Sequence, residues 1–284
     1  MLKGKTFFIT GGAGFIGTAL IRCIIEENRV IVYDNLSRNS LVGSGLCTHP
    51  NLTIIQGDVL NYDHLKSSIP QSVDVVLHMA AIAGIDTVIK DPVKTLEVNA
   101  IGSYHLLKAL MELGLVQRIQ RFVYFSTSEV FGIEAFRVSE SSPTNLQPVG
   151  EARWTYAVSK LMGEHLTHSY YKQFGLRAVT IRPFNVYGPG QVGEGAIHQF
   201  VIRAIRGEPL IIHGEGDQIR SWCYIDDMVD GILLCLEKES AIGQVFNVGN
   251  PRGTITILRL AEKIVQLSGS SSRIVHVPKP YVDV

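Results

Sequence analysis

Charge of one sign is what this sequence lacks first: 26 Lys and Arg are balanced by 26 Asp and Glu. With no basic run, a nucleic-acid surface has no electrostatic footing. Long hydrophobic runs are missing too. Residues 73–84 are broken by Asp74 and His78 and fall short of the roughly 18–20 apolar residues a membrane helix needs. The opening residues, MLKGKTFFIT, run straight into a strand pattern and carry no secretory signal. Cysteine is sparse: Cys23, Cys47, Cys223 and Cys235 lie far apart with no CxxC spacing. That argues against a disulfide framework and predicts buried thiols in a reducing, cytoplasmic setting. His165 and His168 share a helix face, but no third ligand stands near them, so no metal site is expected. Internal repeats and low-complexity tracts are absent as well.

What is present is the balance of a globular α/β protein: 284 residues, 46% hydrophobic and 18% charged. Short β-branched or aromatic runs at 6–10, 30–33, 52–55, 73–77 and 121–125 read as strands. Helix-like stretches at 15–27, 62–68, 92–113 and 155–174 lie between or after them. The alternation predicts βαβ units, hence a Rossmann-type doubly wound parallel sheet with helices on both faces. The strands are near-continuously apolar, as strands buried on both sides must be. Residues 37–51, rich in Ser, Asn and Gly, read as a flexible loop, and 139–150 as a loop over the site. After Arg182 the pattern loosens. The expected division is 1–180 for the cofactor and 181–284 for a smaller, interleaved substrate lobe, with a strand near 244–248 returning to the main sheet.

The most specific motif is Thr10-Gly11-Gly12-Ala13-Gly14-Phe15-Ile16-Gly17, placed directly between the first strand and the first helix. Glycines there let the backbone turn tightly and approach a pyrophosphate, while the helix N-terminus supplies free N–H groups. A plain strand-to-helix turn would not need three glycines so spaced. Asp34 closes the second strand, where an acid binds ribose hydroxyls and repels a 2′-phosphate, so NAD is expected over NADP. Asp58, after the third strand, either caps a turn or touches the adenine.

Tyr156 and Lys160 form a YxxxK pair on one face of a helix. A tyrosine is a poor base at neutral pH unless a neighbouring ammonium and a nicotinium favour its phenolate. Such a pair removes a hydroxyl proton while hydride leaves the same carbon. By itself the spacing is common. Beside a glycine cradle it gains meaning, as does Ser126-Thr127-Ser128-Glu129, a polar strand end at the edge where open α/β sheets bind ligands. A turn with a helix cap is the plainer account of those four residues.

Together these pieces resemble the extended short-chain dehydrogenase/reductases, in particular the NAD-dependent nucleotide-sugar epimerase/dehydratase family. The resemblance spans nearly the whole chain: TGGAGFIG, Asp34, Gly57-Asp58-Val59, His78-Met79-Ala80-Ala81, Asn99, STSEVFG, Tyr156 and Lys160, RPFNVYGPGQ and RSWCYIDD. It implies NAD held by Gly11, Gly14, Phe15, Ile16, Gly17, Asp34, Asn35, Asp58, Val59, Ala80, Ala81, Asn99, Tyr156, Lys160 and Pro183. It also implies that Thr127 holds the sugar 4-hydroxyl, Tyr156 is the base, and Lys160 binds ribose and tunes the tyrosine. Asn185 and Arg220 would meet the substrate diphosphate, and a guanidinium suits that task. A homodimer through the helices at 92–113 and 155–174 is implied as well.

Family members start by oxidising sugar carbon 4, and neighbouring residues decide the fate of the ketone. An adjacent Asp-Glu pair marks one dehydratase branch; here the pair is Ser128-Glu129, as in UDP-glucuronate decarboxylases and GDP-mannose dehydratases. Arg153-Trp154 just before Thr155-Tyr156 also resembles bacterial decarboxylases of UDP-glucuronate. Decarboxylation of UDP-glucuronate is therefore the leading expectation, followed by 4-epimerisation of UDP-glucose or UDP-glucuronate and then by 4,6-dehydration of a nucleotide sugar. An NAD-binding regulator would usually have lost Tyr156 or Lys160, and a natural-product ketone reductase would more often prefer NADPH. Family chains continue well beyond the closing residues 279–284, so the resemblance implies missing terminal helices of the substrate lobe.

Overall fold

The computed structural model describes residues 2–133 and 137–278; the closing KPYVDV segment lies outside the described residues. The first half runs β1 (Thr6–Thr10), α1 (Phe15–Ile24), β2 (Arg29–Asp34), β3 (Leu52–Gln56), α2 (Tyr62–Ser68) and β4 (Val75–His78). Next come α3 (Ile85–Lys90), α4 (Pro92–Leu96), a π turn (Glu97–Ile101), α5 (Gly102–Glu112), β5 (Arg121–Phe125), α6 (Thr155–Phe174) and β6 (Ala178–Pro183). The remainder is β7 (Val186–Tyr187), α7 (Ala196–Arg206), β8 (Leu210–His213), β9 (Ile219–Ser221), β10 (Cys223–Tyr224) and α8 (Ile225–Glu237). It ends with β11 (Val245–Val248), β12 (Thr254–Thr256), α9 (Ile257–Ser268) and β13 (Ile274–Val277).

Seven strands form one parallel sheet in the order β11-β6-β5-β4-β1-β2-β3, the doubly wound α/β arrangement. Successive residues of a strand face opposite sides, and both sides are apolar. Phe7, Ile9, Val30, Val32, Val123 and Phe125 join a core that includes α1 and α8 residues. Phe8, Ile31, Tyr33, Phe122 and Tyr124 join the opposite core, with residues of α2 and α5. After Arg182 the chain supplies both β11, which pairs with β6, and a separate small core of α7, β8 and α9 residues.

Several local expectations are corrected. The fourth strand begins two residues late, because the Asp74 carboxylate accepts from Thr6 N (2.8 Å) and the Gln120 amide (2.9 Å). The stretch 92–113 is helical from Pro92 to Glu112 as expected, but not regular: Gly102 N bonds to Glu97 O, an i to i−5 turn set between α4 and α5. Loop 37–51 is anchored rather than loose. Ser40 N donates to Ala13 O (2.8 Å), Asn39 Oδ1 caps Leu41 N, and Leu41 and Leu46 are buried in the core. Only Cys223 and Cys235 are buried; Cys23 and Cys47 are exposed.

Candidate active site

The carboxyl ends of β1, β4, β5 and β6 converge on one edge of the sheet, and the order reverses between β1 and β4. Ligands of open α/β sheets lie at that switch point. Gly11 turns the chain there with φ +71°, and a Cβ on it would fall 2.4 Å from Ala80 N, so only glycine fits. Gly17 meets the same limit, since its Cβ would lie 2.5 Å from Gly12 O. Gly14, Phe15 and Ile16 open α1 with no side-chain cap and no acidic residue in the first turn. The first-turn N–H groups therefore face the cleft free for an anion. This cradle fits a dinucleotide.

Asp34 ends β2, almost wholly buried, with Oδ2 accepting from Ala13 N (3.0 Å) and Oδ1 from Leu36 N (2.7 Å). Burial raises its carboxyl pKa, and those two amides pull it back. Each oxygen retains a second lone pair for a hydroxyl donor. Asn35 beside it caps Ser37 N. Asp58 caps Leu60 N (2.9 Å), so the turn-cap role is the one seen in its contacts. Val59 is buried against Gly102.

Ala80 and Ala81 follow β4, and their segment is held by Asn99, whose amide is already occupied. Its Oδ1 accepts from Ile82 N (2.7 Å), and its Nδ2 donates to Ile82 O (3.0 Å) and Ser159 Oγ (3.1 Å). Pro183 closes β6 opposite Val248.

Thr127 caps the short helical turn Ser128–Phe131, its hydroxyl accepting from Glu129 N (3.2 Å). Tyr156 and Lys160 both stand on α6, which the 3₁₀ turn Ala152–Trp154 leads into. Burial first, then the Glu129 charge, holds the Tyr156 phenol well above its ordinary pKa, while the Thr127 side chain works the other way. That upward direction is opposite to the expected effect of a neighbouring ammonium. Burial also pushes Lys160 down to about 7, opposed by the Glu164 carboxylate.

Glu129 is exposed in the cleft yet crowded by protein, which raises its carboxyl pKa against the pull of Arg153 and Arg220. Arg220 lies at the other side of the opening, in β9. Asn185 is brought beside it, its Nδ2 donating to Ser221 O (3.2 Å). Arg153 enters from the sequence only through the resemblance of Arg153-Trp154 to decarboxylases, with no role attached to it. The structure stacks its guanidinium on Trp154 (4.9 Å), anchors that indole to Glu151 (2.8 Å), and leaves Arg153 Nε buried without a partner. Ser126 Oγ is a second buried, unpartnered group at this strand end. The Arg-Trp dipeptide was the visible signal for the first; nothing distinguished Ser126 from an ordinary strand-end serine.

A glycine cradle, a buried acid at the end of β2 and a Thr-Tyr-Lys cluster stand at the carboxyl edge of one sheet, and the profile of the NAD dependent epimerase/dehydratase family matches residues 7–249. The chain belongs to that family. A UDP-N-acetyl-alpha-D-glucosaminuronate decarboxylase of Bacillus cytotoxicus is 32% identical over 278 residues, covering 96% of this chain and 84% of the relative. UDP-glucuronic acid decarboxylase 5 of Arabidopsis thaliana is 35% identical over 275 residues, covering 94% and 75%. Among solved structures, the Bacillus cereus UDP-glucuronic acid 4-epimerase in complex with UDP-glucuronic acid and NAD superposes with TM-score 0.85 at 32% identity, covering 96% and 86%. As a member of this epimerase/dehydratase family, the protein is an NAD-dependent enzyme that modifies nucleotide sugars. No helix among the described residues is long and apolar enough to cross a membrane.

Proposed function

We propose that the enzyme decarboxylates a UDP-linked uronate, UDP-glucuronate above all. The carrying observation is Arg153 Nε, buried without a partner, on a guanidinium whose charge acts on Glu129 and Arg220. A guanidinium with a donor left unspent pairs best with a carboxylate, and a uronate brings one. The likeness to uronate-handling relatives supports the same substrate class.

The glycine turn at Gly11–Gly17 and Asp34 would hold NAD, which would supply reversible hydride acceptance at sugar carbon 4. Thr127 orients the 4-hydroxyl and Tyr156 takes its proton; Lys160 binds the cofactor ribose and favours the phenolate. The resulting 4-ketone makes the substrate a β-keto acid. The bond from carbon 5 to the carboxyl carbon then breaks, carbon dioxide leaves, and the electron pair moves to the carbon-4 oxygen as an enolate. Glu129 is assigned the delivery of the proton, drawn from water, that carbon 5 gains as the enolate collapses to the ketone. Asn185 and Arg220 steady the diphosphate. Tyr156 finally gives its proton back to the carbon-4 oxygen as hydride returns.

A 4-epimerase of the same uronate is the second reading, favoured by the likeness to the Bacillus cereus enzyme. One experiment separates them: incubation with UDP-glucuronate, then measurement of product mass. Loss of one carbon dioxide is expected, and Glu129→Gln should slow the steps after oxidation, so enzyme-bound reduced cofactor accumulates. An isomer of unchanged mass overturns decarboxylation in favour of epimerisation.

A further inference from the structure

Beneath the reacting residues lies an aromatic platform. Tyr124 stands in β5 with its ring on the α6 side of the sheet, fully buried beside Phe122. Helix α6 comes this close only because position 163 is glycine: a Cβ there would lie 1.9 Å from the Tyr124 hydroxyl oxygen. Glycine is a poor mid-helix residue, so the notch has a packing reason. Through it the Tyr124 hydroxyl donates to Lys160 O (3.2 Å), and the ring lies beneath the ammonium, Nζ standing 4.9 Å from the centroid.

Lys160 is 2% exposed, so its charge depends on its neighbours. From α6, Glu164 is committed elsewhere: both its oxygens are taken by Arg182 of β6, at 2.8 and 2.7 Å. From β4, His78 offers a neutral imidazole, its proton affinity lowered by burial and by Lys160 itself. Tyr156, one helical turn away, has its phenol pKa raised by burial, so with no cofactor bound it offers Lys160 no full negative charge. The close group from β5 is the ring face of Tyr124. That face attracts a cation through its quadrupole, favours only the charged form of lysine, and takes no proton from it. A carboxylate in the same place would hold the ammonium back from a ligand.

We infer that Tyr124 is a positioning residue for the reaction, its ring face keeping the Lys160 ammonium charged and extended toward the cofactor ribose. The inference rests on the reading of Lys160 given under Proposed function.

The test replaces Tyr124 with phenylalanine, and then with phenylalanines carrying one, two and three ring fluorines, which drain the ring face while keeping its shape. The readout is NADH affinity by fluorescence across pH, with no turnover involved. Affinity should decline as pH rises through the titration of Lys160. Tyr124→Phe should leave the midpoint of that decline in place. Successive fluorines should move it to lower pH in even steps, reaching about one pH unit with three, the size expected of a desolvated contact. A midpoint that stays fixed across the series, with unchanged melting temperatures, makes the ring mere packing and overturns the proposal. Lys160→Met is the control and should abolish the decline. If the decline survives in that variant, Lys160 does not serve the cofactor, and the Tyr124 proposal falls with that reading. A decline lost in Lys160→Met but unmoved by fluorine sinks the Tyr124 proposal alone.

Discussion

Arg182 grips Glu164 with two parallel hydrogen bonds, Nε to Oε1 at 2.8 Å and Nη2 to Oε2 at 2.7 Å, and both side chains are almost wholly buried. The pair ties β6 to the helix that carries Tyr156 and Lys160. Removing one partner strands the other charge away from water, which typically costs about 3–5 kcal/mol. Arg182→Met should therefore lower unfolding free energy by about that much in urea titration. Replacing both partners with apolar residues of similar volume should recover much of the loss.

His78 gives the stability a pH limb. Ser103 Oγ spends its hydrogen on Asn99 O, so it accepts from His78 Nε2, and the Thr10 hydroxyl donates to Nδ1 (2.7 Å). This arrangement holds a neutral imidazole, and burial pushes its pKa down to about 3 from an ordinary value near 6.5. The folded pKa is depressed, so unfolding takes up a proton between those values. The stabilisation is whole above about pH 6.5 and is lost as pH falls toward 3, at about 1.4 kcal/mol per pH unit. Wild type and His78→Asn, compared by denaturant unfolding at pH 7 and pH 5, should differ in slope by about one proton. Equal slopes would show that His78 is charged in the folded protein.

Tyr156→Phe should leave NADH affinity nearly intact while turnover falls by about 10²–10⁴-fold. Lys160→Met should weaken both. A phenylalanine variant that turns over normally would end the assignment of Tyr156 as the base.

Asp34 is expected to set the cofactor choice. Its oxygens already hold the Ala13 and Leu36 amides, so the carboxylate is fixed in place and cannot swing away from a 2′-phosphate. NADH should bind well ahead of NADPH in fluorescence titration. In Asp34→Ala the gap should narrow and the melting temperature should drop, since two backbone N–H groups lose their acceptor.

Val93, Leu96, Ile101, Tyr104, Val158 and Met162 leave an apolar surface on α4, the π turn, α5 and α6. A twofold pairing of two copies would cover it, and such pairing is the commonest assembly. Light scattering at micromolar concentration is expected to give a dimer mass, and Met162→Glu a monomer.

Much of this was legible in the sequence because it is carried by short-range pattern. The glycine cradle, Asp34, the strand end at Thr127 and the YxxxK pair each announce themselves within eight residues, and the apolar strands dictate a sheet covered on both faces. Asn99, by contrast, sits in a plain stretch, and only the fold shows that its amide is spent on the Ile82 peptide. Arg153 gained meaning from a missing partner, which no local spacing encodes. Loop 37–51 misled because Ser, Asn and Gly suit both mobile chain and tightly capped turns. Leu41 and Leu46, which anchor it, are only two apolar residues in a polar run.

The π turn at Glu97–Ile101 has a mechanical meaning for the helix around it. One residue more than an α turn shifts the rotational phase of everything downstream, so α4 and α5 present faces that a regular helix could not combine. Upstream, Thr95 is buried; downstream, Ser103 reaches His78 on the sheet. Taking out a single residue here would restore a smooth spiral and swing α5 by about 100°. Ser103 would then point away from the imidazole, and the crankshaft that lets one helical rod serve two surfaces would be straightened out.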